Sequence, residues 1–556
     1  LDASQRESFW QLPRRERLEK LAEWNGFSSR EMVQIVGTHY GVPIAQRFEI
    51  DESALPDFPI RLIHAFGVVP MKAEEEEGPM MLAACWPLDD EVQQWLYALS
   101  QREFQWVLVD PEKWEETITR HFGVGAADLS ESIVQSDGDR GEVEEEDENA
   151  AIIRFVNEII AQAVRDRATD IHFEPRKDVL RIRYRIDGRL IPVQVPPNLV
   201  AFQSAIISRI KIMARLNISE KRRPQDGRIT YGGGRSEIDV RVSTLPTMYG
   251  ESISMRLLNE QSQPITIKDL GFLPEDEKVL HHVLNLPHGI LLITGPTGSG
   301  KSTTLSAFMR ILGTPERRVI TVEDPIEYEI PEVNQTQVNP DIGLTFASAL
   351  RSVLRQDPDV IMVGEIRDRE TADIAVRASL TGHLVLSTLH TNDAPGAITR
   401  LVDMEIEPFL IASSVELVIA QRLIRRLCLH CAEPETVSAV LERSRRIMLG
   451  LPAESSSDDK QADFHKPKGC EHCRYLGYRG RVGIFEILRV DESLHTLITN
   501  GASAREIRHR AVQNGMRSLQ ASGWEHIRAG LTSFAEVMRY ADANADAEGE
   551  PVAEDA

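Results

Sequence analysis

The stretch Gly295-Pro-Thr-Gly-Ser-Gly-Lys301-Ser302-Thr303 constrains this chain more than any other. It fits G-x-x-x-x-G-K-[ST], follows the apolar run Gly289–Thr294 and precedes the helix-compatible run Thr303–Arg310. Strand, glycine loop and helix in that order form a phosphate cradle. Glycines let backbone N–H groups close round a polyphosphate, and the helix turns its positive dipole end to the same anion. Gly295, Pro296, Thr297, Gly298, Ser299, Gly300, Lys301, Ser302 and Thr303 are therefore nucleotide-binding candidates. Lys301 would reach the β- and γ-phosphates, and the Ser302 hydroxyl would ligate Mg²⁺. Without its setting, the same motif is only a glycine-rich turn.

Three downstream segments follow at the spacing of successive strands. Val319-Ile-Thr-Val-Glu323-Asp324-Pro-Ile-Glu327 ends a strand in three carboxylates, where ligands sit in open α/β sheets. Glu323, Asp324 and Glu327 could hold a hydrated cation or orient water there, although acids after a strand are often just solvated. Val360-Ile-Met-Val-Gly364-Glu365 is an apolar strand ending in an acid. Gly364 stands where a metal-holding Asp is usual, which leaves Glu365 as the candidate for polarising attacking water. Finally, His383 and His390 flank the run Leu384–Leu389, and both are candidates for sensing a γ-phosphate by hydrogen bonding.

Cys428-Leu-His-Cys431 and Cys470-Glu-His-Cys473 form two C-x-x-C pairs separated by 38 residues in a chain of five cysteines. Four thiolates suit a closed tetrahedral Zn²⁺ site with no position left for catalysis. Two disulfides are disfavoured without a secretion signal. The spacer carries a polar insertion, Ser455–Lys460, and Cys85, alone in an apolar run, reads as a small buried residue.

The remaining chain divides by pattern. Residues 1–125 read as a mixed α/β domain with a helix from Arg14, strands at 67–70, 80–85 and 104–109, and a helix at Glu91–Leu99. Residues 126–150 read as an extended acidic linker. Residues 151–262 open with a helix and carry basic strands, with Arg181, Arg183 and Arg185 on one face of Leu180–Ile186. Such a face is commonly just polar, yet a neighbouring subunit's triphosphate would want it. Residues 263–286 read as a linker, 287–427 as a mostly parallel sheet with helices, 475–540 as helical and 541–556 as a disordered tail.

Net charge is −23, of which residues 131–149 and 541–556 carry 14 negative charges. No basic tract neutralises a phosphate backbone, which argues against a nucleic-acid translocase, the main alternative reading. No run of 18 uncharged apolar residues occurs and the N-terminus lacks a signal-peptide core, so a cytoplasmic protein is expected. The absence of an initiator Met suggests a trimmed or partial chain.

Taken together, residues 150–540 resemble the type II secretion / type IV pilus assembly ATPase family. The likeness rests on Gly295–Thr304, Thr321–Glu327, Leu350–Asp368, Thr381–Asn392, Gln421–Cys428, the four cysteines and Gly477–Glu486. Gly364 matches that family's own pattern. The resemblance implies a RecA-like P-loop ATPase domain preceded by a PAS-like α+β domain, and a homohexamer with ATP between lobes. It further implies Arg185, Arg228, Arg241 or Arg256 on the phosphates, and Lys301, Glu365 and Glu327 in catalysis. Residues 1–125 resemble loosely a domain that docks on an inner-membrane platform. The arginine- and leucine-rich repeat that binds cyclic di-GMP in such proteins is not found, so that ligand is not expected. Secretion and pilus extension are not distinguished.

Overall fold

The computed structural model describes residues 14–54, 67–72, 79–88, 104–122, 143–196, 199–232, 238–258, 265–453 and 462–540, together with positions 9, 12, 58 and 63. The expected helix Glu91–Leu99, most of the 59–66 stretch, linker residues 126–142, the insertion Ser455–Lys460 and the tail 541–556 lie outside them. Two compact units divide the chain, Leu1–Glu260 and Gln261–Ala556.

In the first unit, helices Arg14–Asn25 and Ser29–Tyr40 are followed by β1 (Val68–Pro70), β2 (Met80–Ala84) and β3 (Phe104–Leu108). The second helix is fixed at its start by a reciprocal Ser28–Glu31 capping box. The strands form a three-stranded sheet close to where the sequence places them.

Helix Val143–Arg165 overturns part of the linker expectation, because it begins inside the acidic run. Glutamates are favoured near a helix N-terminus, and the apolar face Ile152, Phe155, Val156, Ile159, Ile160 and Ala163, all buried, anchors the turns that follow. That face packs on a six-stranded antiparallel sheet in the order β6-β5-β4-β9-β8-β7. Its strands are β4 (Asp170–Pro175), β5 (Leu180–Ile186), β6 (Arg189–Pro192), β7 (Gln225–Tyr231), β8 (Ile238–Thr247) and β9 (Gly250–Leu258). Along β5, Leu180, Ile182, Tyr184 and Ile186 are buried, and the arginines alternate onto the other face.

The second unit is built on a seven-stranded sheet, ordered β12-β11-β13-β14-β10-β15-β18. Six strands run parallel: β10 (Gly289–Thr294), β11 (Val319–Glu323), β12 (Val333–Gln337), β13 (Val360–Val363), β14 (Leu384–Leu389) and β15 (Val415–Leu427). β10, β13 and β14 are buried at every residue, as expected of strands covered on both faces. The two-residue strands β16 (Glu433–Pro434) and β17 (His465–Lys466) pair within the cysteine-bearing insertion.

Two expectations are corrected here. Residues 478–489 are not helical: they form β18 (Tyr478–Arg489), antiparallel along β15. Burial on both sides removes the alternation that would have revealed this strand. The segment 263–286, read as a linker, packs on the sheet over its described residues 265–286. Phe272 stacks on Phe485 at 3.7 Å between ring centroids, and Leu280, Val283 and Leu284 join the sheet's core. Helices Glu492–Thr499, Ala504–Gln513 and Leu519–Arg528 follow β18. Among the described residues, no helix is long and apolar enough to cross a membrane.

Candidate nucleotide site and four-cysteine centre

Parallel strands deliver their C-terminal loops to one edge. Thr294, at the end of β10, is paired with Leu389, and its hydroxyl lies 2.7 Å from that of Thr391 and accepts the Thr391 N–H at 2.8 Å. These contacts fasten the loop after β14 to the start of the phosphate loop. A Cβ at Gly295 would meet the Gln421 carbonyl at 2.6 Å, so only glycine fits between this loop and β15. Gly300 (φ 91°) caps the helix Lys301–Leu312 in the left-handed region.

Lys301 is 9% exposed, and its ammonium donates to the carbonyls of Gly295 (2.7 Å) and Pro296 (3.1 Å). Burial lowers its pKa, and Arg422 adds to that effect against the pull of Glu365. The buried Ser299 hydroxyl has no hydrogen-bond partner among the described residues. Pro296, Thr297, Gly298 and Ser302 are exposed, and Thr303 is half-buried. A helix N-terminus, a buried ammonium and an unpaired buried hydroxyl make up a set of donors that fits a polyphosphate.

Beside the loop, Gly364 continues β13 and is packed tightly, with a Cβ placed 3.3 Å from the Val322 carbonyl. Glu365 follows. Its carboxylate is gripped by Arg367 at 2.5 Å and by His390 Nε2 at 3.2 Å. Burial pushes this carboxyl up, but the guanidinium and the imidazole outweigh it and hold the group below its ordinary range. Glu365 is thus ionised at neutral pH. Glu323 accepts from the Thr321 hydroxyl (2.6 Å) and the Gln335 amide (2.9 Å). Asp324 is exposed, Glu327 is half-buried, and the charge of Asp324 acts on Arg367.

The structure separates the two histidines. His390 follows β14 at the phosphate-loop edge, whereas His383 precedes β14 and its carbonyl accepts the N–H of Gly289 at the opposite edge. At ~3.3 Å per residue, the six residues between them span about 20 Å. His383 Nδ1 bonds the Ala378 carbonyl at 2.9 Å and finishes a helix end. Its expected γ-phosphate role is therefore corrected, because the direction of the strand puts it on the wrong side of the sheet.

In the first unit, Arg228, Arg241 and Arg256 are directly opposite one another across β7, β8 and β9, and the row continues through Asp170 to Arg185. Asp170 contacts Arg256 at 3.2 Å and Arg185 at 3.6 Å. The Arg241 Nε is buried without a hydrogen-bond partner among the described residues. Arg228, Arg241, Arg256 and Asp170 line an open hollow of about 480 Å³. Arg181 and Arg183, by contrast, are both paired to Glu174.

The four cysteines converge, with every Sγ within 4.8 Å of the others. Cys428–Cys470, Cys431–Cys473 and Cys470–Cys473 are 3.9, 3.7 and 3.8 Å apart. The edge of a tetrahedron with ~2.3 Å metal–sulfur bonds is about 3.8 Å, so these residues fit a closed tetrahedral ion. Burial raises the Cys473 thiol, but N–H donors from Cys470 and Gly477 bring it down to about 7. The same donors would steady a metal-bound thiolate.

Arg367 and Arg422 carry weight that the sequence did not announce. Arg367 lies two residues beyond Glu365, a spacing that could have flagged it. Arg422 reaches the phosphate loop only because β15 pairs with β10.

Residues 145–539 match the family described as type II/IV secretion system protein, and residues 40–128 match the MshEN domain. Type II secretion system protein E of Pseudomonas aeruginosa is 49% identical over 396 residues, 71% of this chain and 76% of that one. The type IV pilus assembly ATPase PilB of Myxococcus xanthus is 40% identical over 535 residues, 93% and 92% of the two chains. The ATPase DotB of Legionella pneumophila shares the fold, with a TM-score of 0.51 at 22% identity over 70% of this chain and 95% of that one. The phosphate loop, the gripped Glu365 and these matches agree: the chain belongs to the type II/IV secretion system protein family.

Proposed function

We propose that the chain is a motor ATPase that hydrolyses ATP at the phosphate-loop edge of its seven-stranded sheet to drive assembly of pseudopilus or pilus subunits. The carrying observation is Glu365, held ionised by His390 and Arg367 beside a loop whose buried Lys301 senses its charge. An ionised carboxylate there takes a proton from attacking water, and Lys301 with the loop's N–H groups binds the phosphates. Ser302, with Glu323, Asp324 and Glu327 on the neighbouring strand end, would hold Mg²⁺, whose charge offsets that of the phosphates.

The seven-stranded sheet reads as RecA-like and the six-stranded sheet as PAS-like. The row Arg185, Arg228, Arg241 and Arg256 is surplus positive charge on an open face, which suits phosphates presented by a neighbour in a homohexamer. Cys428, Cys431, Cys470 and Cys473 would hold a structural Zn²⁺. The working place is the cytoplasmic face of the inner membrane, with residues 1–125 docking on the platform of the machine.

Phosphate release from ATP by the purified full chain tests this reading. Wild type should turn over and Lys301→Ala should not, with both giving the same far-ultraviolet circular dichroism. Equal turnover by the two would overturn it.

A further inference from the structure

Arg422 sits on β15 two residues past Ala420, the partner of Thr294, so it lies alongside the phosphate loop itself. It is 8% exposed. Its guanidinium donates to the carbonyl of Asn392 at 2.8 Å, to that of Gln421 at 3.1 Å and to the Asn392 side-chain oxygen at 3.4 Å. One guanidinium nitrogen lies 3.2 Å from where a Cβ of Gly295 would be, so the cation touches the first glycine of the loop. Among the described residues, no carboxylate hydrogen-bonds it. Asp393 and Glu486 act on it through space, but both are ion-paired to Arg508. A buried cation served only by neutral oxygens is costly unless something anionic compensates it. The nearby surface built to take an anion is the phosphate loop, where Lys301 already feels the charge of Arg422.

The bonds to Asn392 add a second property. Asn392 lies two residues beyond His390, which grips Glu365. Arg422 thus touches the phosphate-binding loop at one end and the His390–Asn392 segment at the other. Charge serves the first contact. The second needs the planar fork of a guanidinium, which a lysine lacks.

We propose that Arg422 is a positioning residue of the nucleotide site, a fixed positive charge beneath the phosphate loop that strengthens polyphosphate binding and ties the loop to the segment carrying His390. It rests on the ATPase reading above, and the two fail separately: a wild-type chain that binds no ATP sinks that reading, whereas variants identical to a binding wild type sink this one.

The test uses the full chain with Arg422→Gln and Arg422→Lys. Dissociation constants for a fluorescent ATP analogue are measured at two ionic strengths, kcat and KM for ATP at one, and folding is checked by thermal unfolding. Arg422→Gln, which removes the charge, should weaken binding about tenfold and flatten its salt dependence. Arg422→Lys should keep affinity within about threefold of wild type while kcat falls about fivefold, because the charge survives and the fork does not. Binding by folded Arg422→Gln within about twofold of wild type, or failure of lysine to restore affinity, would overturn the proposal. Should Arg422→Gln not fold, Arg422→Lys decides alone: normal affinity with lowered kcat supports it, and unchanged values of both overturn it.

Discussion

The two edges of the seven-stranded sheet are made from the same strands and have opposite characters. At the N-terminal edge, His383 closes a helix end and Arg318 and Asp359 tie strand starts together, Arg318 donating its backbone N–H to Asp359 at 2.7 Å. At the C-terminal edge, the ends of β10, β11, β13 and β14 present Lys301, Glu323, Glu365 and His390. The difference is one of direction. Parallel strands sort residues that are close in sequence onto opposite rims, and chemistry collects where helix N-termini and strand C-termini meet. A pair of histidines bracketing one strand therefore falls one on each edge.

The widest gap between the edges should come from Gly295→Ala. A Cβ there meets backbone at 2.6 Å and cannot be relieved by a side-chain shift. Nucleotide binding should fall at least about 100-fold, as for a lost set of charge-assisted hydrogen bonds, measured by fluorescent-nucleotide titration.

His390→Ala is the next largest. Loss of one partner of Glu365 should lower kcat about tenfold, within the range for groups that orient a general base. It also sets a sign for pH dependence. The folded carboxyl lies below its usual 4.5, so the ionised base is present above that folded value and is lost as pH falls through it. Removing His390 should move the acid limb of kcat to higher pH.

Chelation of the four-cysteine centre comes third. It should lower the thermal unfolding temperature and expose thiols to Ellman titration, because the ion would be structural. Nucleotide affinity should stay within about twofold of wild type, since the cluster holds the insertion rather than the phosphate loop. His383→Ala should do least, leaving kcat and KM within about twofold of wild type. A loss equal to that of His390→Ala would break the contrast between the edges.

Much of this site was legible in the residues. The phosphate loop, Gly364-Glu365 and the cysteine pairs are short, contiguous patterns whose chemistry depends on local spacing, and each lies at a strand end or a turn where the sequence placed it. What was not legible depended on pairing between distant strands. β18 is buried on both sides, so it lost its alternation, and glycines at 480 and 483 blurred its propensity. Arg422 is one arginine among three in Gln421–Cys428, and only the register of β15 against β10 singles it out. The arginine row is similar. Arg185, Arg228, Arg241 and Arg256 are scattered in sequence and become one line only across five strands. The acidic start of helix Val143–Arg165 was hidden because its charges resemble a solvated linker until an apolar face follows them.

The role of Glu365 can be isolated by measuring nucleotide binding and phosphate release in a single preparation of Glu365→Gln. The amide keeps the shape and removes the base. Binding is expected within about threefold of wild type while release falls about 10²–10⁴-fold, the usual contribution of a general base. Phosphate release near the wild-type rate, with nucleotide bound, would contradict the assignment of Glu365 and with it the account of this edge as the hydrolytic site.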